Sequence, residues 1–388
     1  MPERVYFDWN ATAPLHPRAR EAMLAALDVV GNPSSVHAEG RAARHLLDTA
    51  RENVAALVGA EARCVTFTSG GTEANVLALS PGVGAPRRDR LLVSAIEHPS
   101  VLAGGRFAHD DVELIPVKHD GIIDLPSLSA RLGALQAEGV RAPLVSLMLA
   151  NNETGIIQPV AEAAAMVHAA GGLLHVDAVQ AGGRIAIDIN ALGADLLTIS
   201  GHKIGGPKGV GALVRRAPSL PIEPLLKGGG QERGLRAGTE NVPGIAGFGA
   251  AAAAAAAELD GNGRLVRRVR DQIEAGLRRL SPDVTIFGVG CERIPNTTLF
   301  AVPGVKAETA IIALDLEGVA VSSGAACSSG KVQPSHVLAA MGVQPELARG
   351  AIRLSLGPTS TESEAERFFR AWNKVLKPLV KGSGYIAA

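Results

Sequence analysis

Aromatic side chains are scarce in this chain, 3% of 388 residues, which leaves little to build the stacking surfaces that hold unpaired nucleic-acid bases. Excess charge is missing too. Lys and Arg number 38 and Asp and Glu 38, so there is no basic footprint for a nucleic acid or an anionic membrane. The most apolar long stretch, 242–257, is mostly Ala and Gly and falls short of the ~20 strongly apolar residues of a bilayer span. The amino terminus, Met1-Pro2-Glu3-Arg4-Val5-Tyr6-Phe7-Asp8, has no apolar core of a secretory signal. These absences predict a soluble, cytoplasmic protein with no nucleic-acid and no membrane partner. There are only three cysteines, which cannot all pair, and a cytoplasmic chain keeps them reduced. Each is then a question of reactivity.

What is present is apolar mass, 47% of the residues, enough for a large and a small domain. From Cys64 onward, short continuous apolar runs alternate with helical stretches. Strands are predicted at 64–68, 91–94, 112–117, 144–149, 172–177, 194–199 and 210–215. Such a pattern predicts a mostly parallel sheet covered on both faces, with its ligand at the carboxyl ends of the strands. The polar residues at those ends are Thr72, His98, Asn152, Asp177, Gln180, Ser200, His202 and Lys203. Two helices, Pro243–Leu259 and Arg264–Leu280, are predicted to lead into a smaller α+β domain closed by an amphipathic helix from Glu362 to Leu376.

The chain is organised around Ser200-Gly201-His202-Lys203. A lysine delivered just past a buried strand is unusual, because lysine favours a solvated helix face. An amine held there suits Schiff-base formation with an aldehyde. The neighbouring strand ends in Asp177, a carboxylate able to keep the ring nitrogen of pyridoxal 5'-phosphate (PLP) protonated, so that the ring acts as an electron sink. Ser69-Gly70-Gly71-Thr72 at a strand-to-helix turn offers backbone N–H groups to an anion.

Three further features stand apart. The loop Gly228–Asn241 is long, polar and rich in glycine, which marks it as functional. Cys64 and Cys291 read as small apolar fillers, whereas Cys327 lies among Ser, Gly and Ala in 322–331 and should be reachable and mobile. Arg353, in the apolar strand Ile352-Arg353-Leu354-Ser355, needs an anionic partner, either the carboxylate of a substrate or one of the protein's own.

In order along the chain stand Asp8-Trp9-Asn10-Ala11-Thr12, Asn32-Pro33-Ser34-Ser35, Thr68-Ser69-Gly70-Gly71-Thr72-Glu73-Ala74-Asn75 and Glu97-His98. Asn151-Asn152-Glu153-Thr154-Gly155, His175-Val176-Asp177-Ala178-Val179-Gln180, the Lys203 turn, 228–241, 322–329 and 352–357 follow. This ordered set, spanning nearly the whole sequence, resembles the cysteine desulfurases of the NifS/IscS type, within the class V aminotransferase family and the fold-type I PLP architecture.

The resemblance implies an α/β fold with a mostly parallel seven-stranded sheet in a large domain, 16–260, and a small α+β domain from 1–15 and 261–388 bearing the Cys327 loop. It implies that Lys203 holds PLP and moves the substrate Cα proton, that Asp177 pairs with the ring nitrogen, and that Gln180 bonds the ring hydroxyl. His98 would stack on the ring and assist proton transfer. Gly71, Thr72, Ser200 and His202 would bind the phosphate, with Thr239 supplied by the other subunit of a homodimer. Asn152 and Arg353 would orient L-cysteine, and Cys327 would take its sulfur as a persulfide while alanine leaves. An iron–sulfur scaffold or another acceptor protein would receive that sulfur, and Cys327 could transiently share a cluster metal with it. The alternative within the family is a selenocysteine lyase or a small-amino-acid aminotransferase, and only the latter has no use for the loop thiol.

Overall fold

A computed structural model of the chain describes residues 4–140, 142–323 and 335–382. It begins with an arm that carries β1 (Val5–Tyr6), followed by α1 (Pro17–Leu27) and α2 (Ala38–Leu57). Pro17 opens α1 at a position where its missing N–H costs nothing, and the His16 and His37 side chains accept backbone N–H groups at the two helix starts.

The alternating stretch then forms β2 (Val65–Thr68), α3 (Gly71–Ala78), β3 (Leu91–Ser94), α4 (Pro99–Leu102), β4 (Val112–Ile115) and α5 (Leu125–Ala137). It continues with β5 (Leu144–Ser146), α6 (Val160–Ala169), β6 (Leu173–Asp177), β7 (Leu196–Ser200) and β8 (Gly211–Arg215). These strands make one seven-stranded sheet in the order β2-β8-β7-β6-β5-β3-β4. All run parallel except β8, which pairs antiparallel with both β2 and β7. Every residue of β2, β3, β5, β7 and β8 is buried, as continuous apolar strands between two helical layers must be.

One prediction fails here. The two helices expected at Pro243–Leu259 and Arg264–Leu280 are a single 39-residue helix, α7 (Val242–Leu280). Gly261 and Gly263 do not break it. A Cβ at either would meet nothing within 4 Å, so the glycines only weaken the helix, by about 1 kcal/mol each. Tertiary packing holds both halves: Phe248 and Ala252 belong to the core under the sheet, whereas Val266, Ile273 and Leu277 belong to a second cluster. Among the described residues α7 is the one helix long and apolar enough to cross a bilayer, yet 56% of its most apolar window is buried inside the protein. That makes it a core helix.

The remainder is β9 (Thr285–Ile286), β10 (Thr297–Ala301), α8 (Ala307–Leu316), β11 (Val319–Ala320), α9 (His336–Ala340), α10 (Pro345–Ala348), β12 (Ile352–Ser355) and α11 (Glu362–Gly382). Strand β10 lies between β9 and β12, and β1 pairs with β11. The second cluster joins Val5 and Phe7 of the arm to Phe300, Phe368 and Trp372, with Phe369 packed against them. Trp372 meets Phe300 edge-on at 5.4 Å and stacks on Phe368 at 6.3 Å between ring centres. The amino-terminal arm thereby reaches from this cluster across to the strand ends of the large sheet.

Candidate active site

Strand β7 ends at Ser200, and one tight turn, Gly201–Lys203, carries the chain round to the lysine. The backbone passes close at Gly201. A Cβ at this position would lie 3.2 Å from the carbonyl oxygens of both Pro207 and Val210. The Lys203 ammonium donates to the carbonyl oxygens of Asn10 and Ala11. Asn10 is itself buried and held on every side. Its N–H donates to Ser355 Oγ at 2.9 Å, and its Nδ2 donates to Thr297 Oγ1 at 2.9 Å and to the Asn152 carbonyl at 3.1 Å. Its carbonyl also accepts from Gln180 Nε2 at 3.1 Å.

Asp177 ends β6, the strand next to β7, so the carboxylate and the amine project from adjacent parallel strands. Asn75 Nδ2 donates to Asp177 Oδ2 at 2.9 Å and the Val179 N–H to Oδ1 at 3.0 Å, which fixes the carboxylate and leaves lone pairs for a ring N–H. Gln180 donates to Asn10 and accepts from Arg184 at 2.7 Å. His98 caps α4: its Nδ1 accepts the Ser100 N–H at 3.2 Å, which puts the proton of the neutral ring on Nε2. Burial lowers its pKa, and the charges of Lys203 and His336 add to that against Asp177, so the ring is a neutral base. Next to it, burial and the Asp177 charge push fully buried Glu97 well above the usual carboxylate range.

The anion side forms where α3 begins. Gly71 packs against the end of β7, where a Cβ would stand 3.1 Å from Val179 Cγ2 and 3.5 Å from Ser200 Cβ. Thr72 follows in the first turn of α3, whose N–H groups and dipole favour an anion. His202 lies 3.2 Å from Thr12 Oγ1 through its Nδ1, and burial together with Lys203, Lys208 and Arg184 pushes its pKa down to about 4. Thr239 is exposed on the loop before α7.

Arg353, buried on β12, finds an internal partner: its Nη2 donates to Asp8 Oδ1 at 2.7 Å, and its Nη1 to the Asn152 carbonyl at 3.0 Å. Its Nε and the Asn152 Oδ1 are buried without a hydrogen-bond partner among the described residues. Two such orphans side by side are what a site built for a polar ligand leaves open. Cys327 lies outside the described residues, as does the loop around it; the chain resumes at Ser335, whose Oγ donates to Glu153 Oε2 at 2.6 Å. Among the described residues no group of three or more His, Cys, Asp and Glu could hold a metal ion.

Sequence reasoning puts Thr72, His98, Asn152, Asp177, Gln180, Ser200, His202 and Lys203 at the strand ends, and in the structure Gly71 packs against Ser200 there and Arg353 joins through Asn152. It passed over Asn75, Asn10 and Asp8 as supports. An Asn inside the apolar run Ala74–Leu79 was the available signal for Asn75. An amine, a buried carboxylate, a neutral histidine and an anion cradle can together bind a phosphorylated aldehyde and move protons next to it.

Residues 5–368 match the family described as aminotransferase class-V, and the chain belongs to that family. Within it the likeness is to cysteine desulfurases. The chain is 45% identical over 385 residues to a cysteine desulfurase of Cereibacter sphaeroides, across 97% of this chain and 96% of the other. Among solved structures, a NifS-like protein from Rickettsia africae shares 37% identity with a TM-score of 0.87, covering 97% of this chain and 100% of that one. SspA, solved in complex with cysteine, shares 28% identity with a TM-score of 0.72, covering 92% and 100%. The α/β, fold-type I expectation is borne out.

Proposed function

We propose that this chain is a PLP-dependent cysteine desulfurase that converts L-cysteine to L-alanine and leaves a persulfide on Cys327. One observation carries it: Asp177 ends β6 and the turn bearing Lys203 directly follows β7, its parallel neighbour, with Gly71 packed onto Ser200 beside them. The residues present fit the cofactor. Asp177 is fixed by two donors and still has lone pairs for the ring nitrogen, Gln180 Nε2 keeps a second hydrogen for the ring hydroxyl, and the Gly71 cradle suits a phosphate. Bound there, PLP would supply an electron sink for negative charge on the substrate carbons. His98 and the Lys203 amine hold and move the protons. Arg353 spends two of its five N–H donors on Asp8 and Asn152, so others remain for the substrate carboxylate.

In the net reaction the Cβ–S bond of L-cysteine breaks as the S–S bond to Cys327 forms. The carbon keeps the electron pair, takes up a proton and leaves as the methyl group of alanine. The thiol hydrogens supply all that is needed, so no outside reductant enters.

We further propose a homodimer in which Thr239 completes the partner's phosphate site, and an iron–sulfur scaffold or another sulfur acceptor as the recipient. Exposed Leu24, Leu27, Val30 and Val36 support the dimer. The smaller domain (1–15 and 261–388) would correspond to the aromatic cluster with its flanking strands.

Alanine release from L-cysteine tests the reading. Wild type releases it, and Lys203→Ala and Cys327→Ala reduce it at least about a hundredfold. Full alanine release by Cys327→Ala would instead favour a lyase, and formation of a 2-oxo acid with the C–S bond intact would favour an aminotransferase.

A further inference from the structure

An anion site at the start of α3 has a neighbour that should spoil it. Glu73 lies in the first turn of that helix, one residue past Thr72. A carboxylate there helps the helix but repels any second anion at the same terminus. The structure resolves the conflict with a residue from far along the chain. Glu73 Oε2 turns back to accept the Ser69 N–H at 2.8 Å, and Oε1 accepts from Arg236 Nε at 3.0 Å. Burial alone would raise the Glu73 pKa, yet the bonds from Arg236 and Ser69 hold it below the ordinary value, so the carboxylate is charged and answered.

Arg236 sits on the loop before α7, and that loop is held on a strained path. Glu232 and Arg233 have φ of 48° and 59°, the left-handed region that side chains avoid. What enforces it is Glu232, buried and paired at both oxygens with Arg51 at 2.7 Å, with Oε2 also accepting the Phe67 N–H at 3.0 Å. Arg51 in turn lies over the Phe67 ring, 4.7 Å from its centre. A backbone forced into this shape by a buried ion pair delivers Arg236 to Glu73, and Thr239 stands three residues further on.

We propose that Arg236 is a positioning residue for a phosphate monoester dianion: it neutralises Glu73 so that the start of α3 at Gly71 and Thr72 can receive the phosphate. Phosphate binding then depends on the ordering of the loop that carries Thr239. The inference rests on the PLP reading above and adds the charge logic of its phosphate site.

The test is equilibrium PLP uptake by the cofactor-free protein, followed by fluorescence, through a double-mutant cycle. Arg236→Gln, which leaves Glu73 charged and unanswered, should weaken uptake about tenfold or more. Glu73→Gln, which keeps an acceptor for the Ser69 N–H, should change it less than about threefold. The double variant should recover to within about threefold of wild type, because no carboxylate remains to be neutralised. A double variant as weak as Arg236→Gln, or weaker, overturns the proposal. Arg236→Lys keeps the charge and covers the case in which the Gln variant does not fold; it should bind within about threefold of wild type, and a tenfold loss overturns the proposal. Should wild type itself take up no PLP, the functional reading falls and this inference with it, a result distinct from uptake without rescue.

Discussion

His175 lies fully buried in β6, with Nδ1 at 2.8 Å from Ser146 Oγ and Nε2 at 3.0 Å from Thr198 Oγ1. Burial pushes its pKa down to about 4, against a small opposing pull from Asp177. In the unfolded chain the same ring takes a proton near pH 6.5, so below that pH the unfolded state binds a proton the folded state refuses. Its contribution is present above pH 6.5 and is lost as pH falls toward 4. The loss reaches about 3 kcal/mol. Denaturant unfolding between pH 7 and pH 4 should show it, and His175→Gln should flatten that slope even though its stability at pH 7 is lower. An unchanged slope would mean the ring is charged in the fold. At this scale the candidate site was legible in the sequence, because a lysine or an aspartate at the end of an apolar strand is out of place unless it has chemistry to do. Their supports were not. Asn75, Asn10 and Asp8 act across 102, 142 and 345 positions of chain, and no local pattern encodes such reach.

The strands were legible for a simple reason: most are short, largely apolar and buried runs, which a sheet covered on both faces demands, and only the edge strand β4, Val-Glu-Leu-Ile, is mostly unburied. Helix α7 was not, because glycine within a helical pattern reads as a break while the packing that overrides it lies elsewhere in the chain. Its glycines also differ in kind. A Cβ at Gly249 would stand 2.4 Å from Ala50 Cα, so α2 and α7 touch backbone to backbone there. Gly249→Ala should therefore cost about 1–3 kcal/mol of stability by forcing the helices apart. Gly261 is exposed and would meet nothing within 4 Å, so Gly261→Ala should add about 0.5–1 kcal/mol by restricting the unfolded chain. Opposite signs from one substitution in one helix are checked by comparing urea midpoints, and equal effects would mean that α2 and α7 do not approach as closely as described.

A single chain leaves apolar surface facing water. Leu27 is 65% exposed, Val30 94% and Val36 88%, between the end of α1 and the start of α2, with Leu225 and Leu226 partly exposed just before the loop that carries Thr239. Isolated apolar residues need no explanation, but several of them, with one segment next to the Gly228–Asn241 loop, do. If a second copy covers them, two effects should be linked. Introducing charge with Leu27→Glu and Val30→Glu together should halve the mass seen in sedimentation at micromolar concentration, with the helical signal unchanged. The monomer should also bind PLP more weakly, since Thr239 would no longer reach a partner's phosphate, and by reciprocity PLP should tighten the wild-type dimer by the same factor. A variant that becomes monomeric yet keeps its PLP affinity would show that each subunit completes its own site, and Thr239 would then have to be read as a surface residue of the loop.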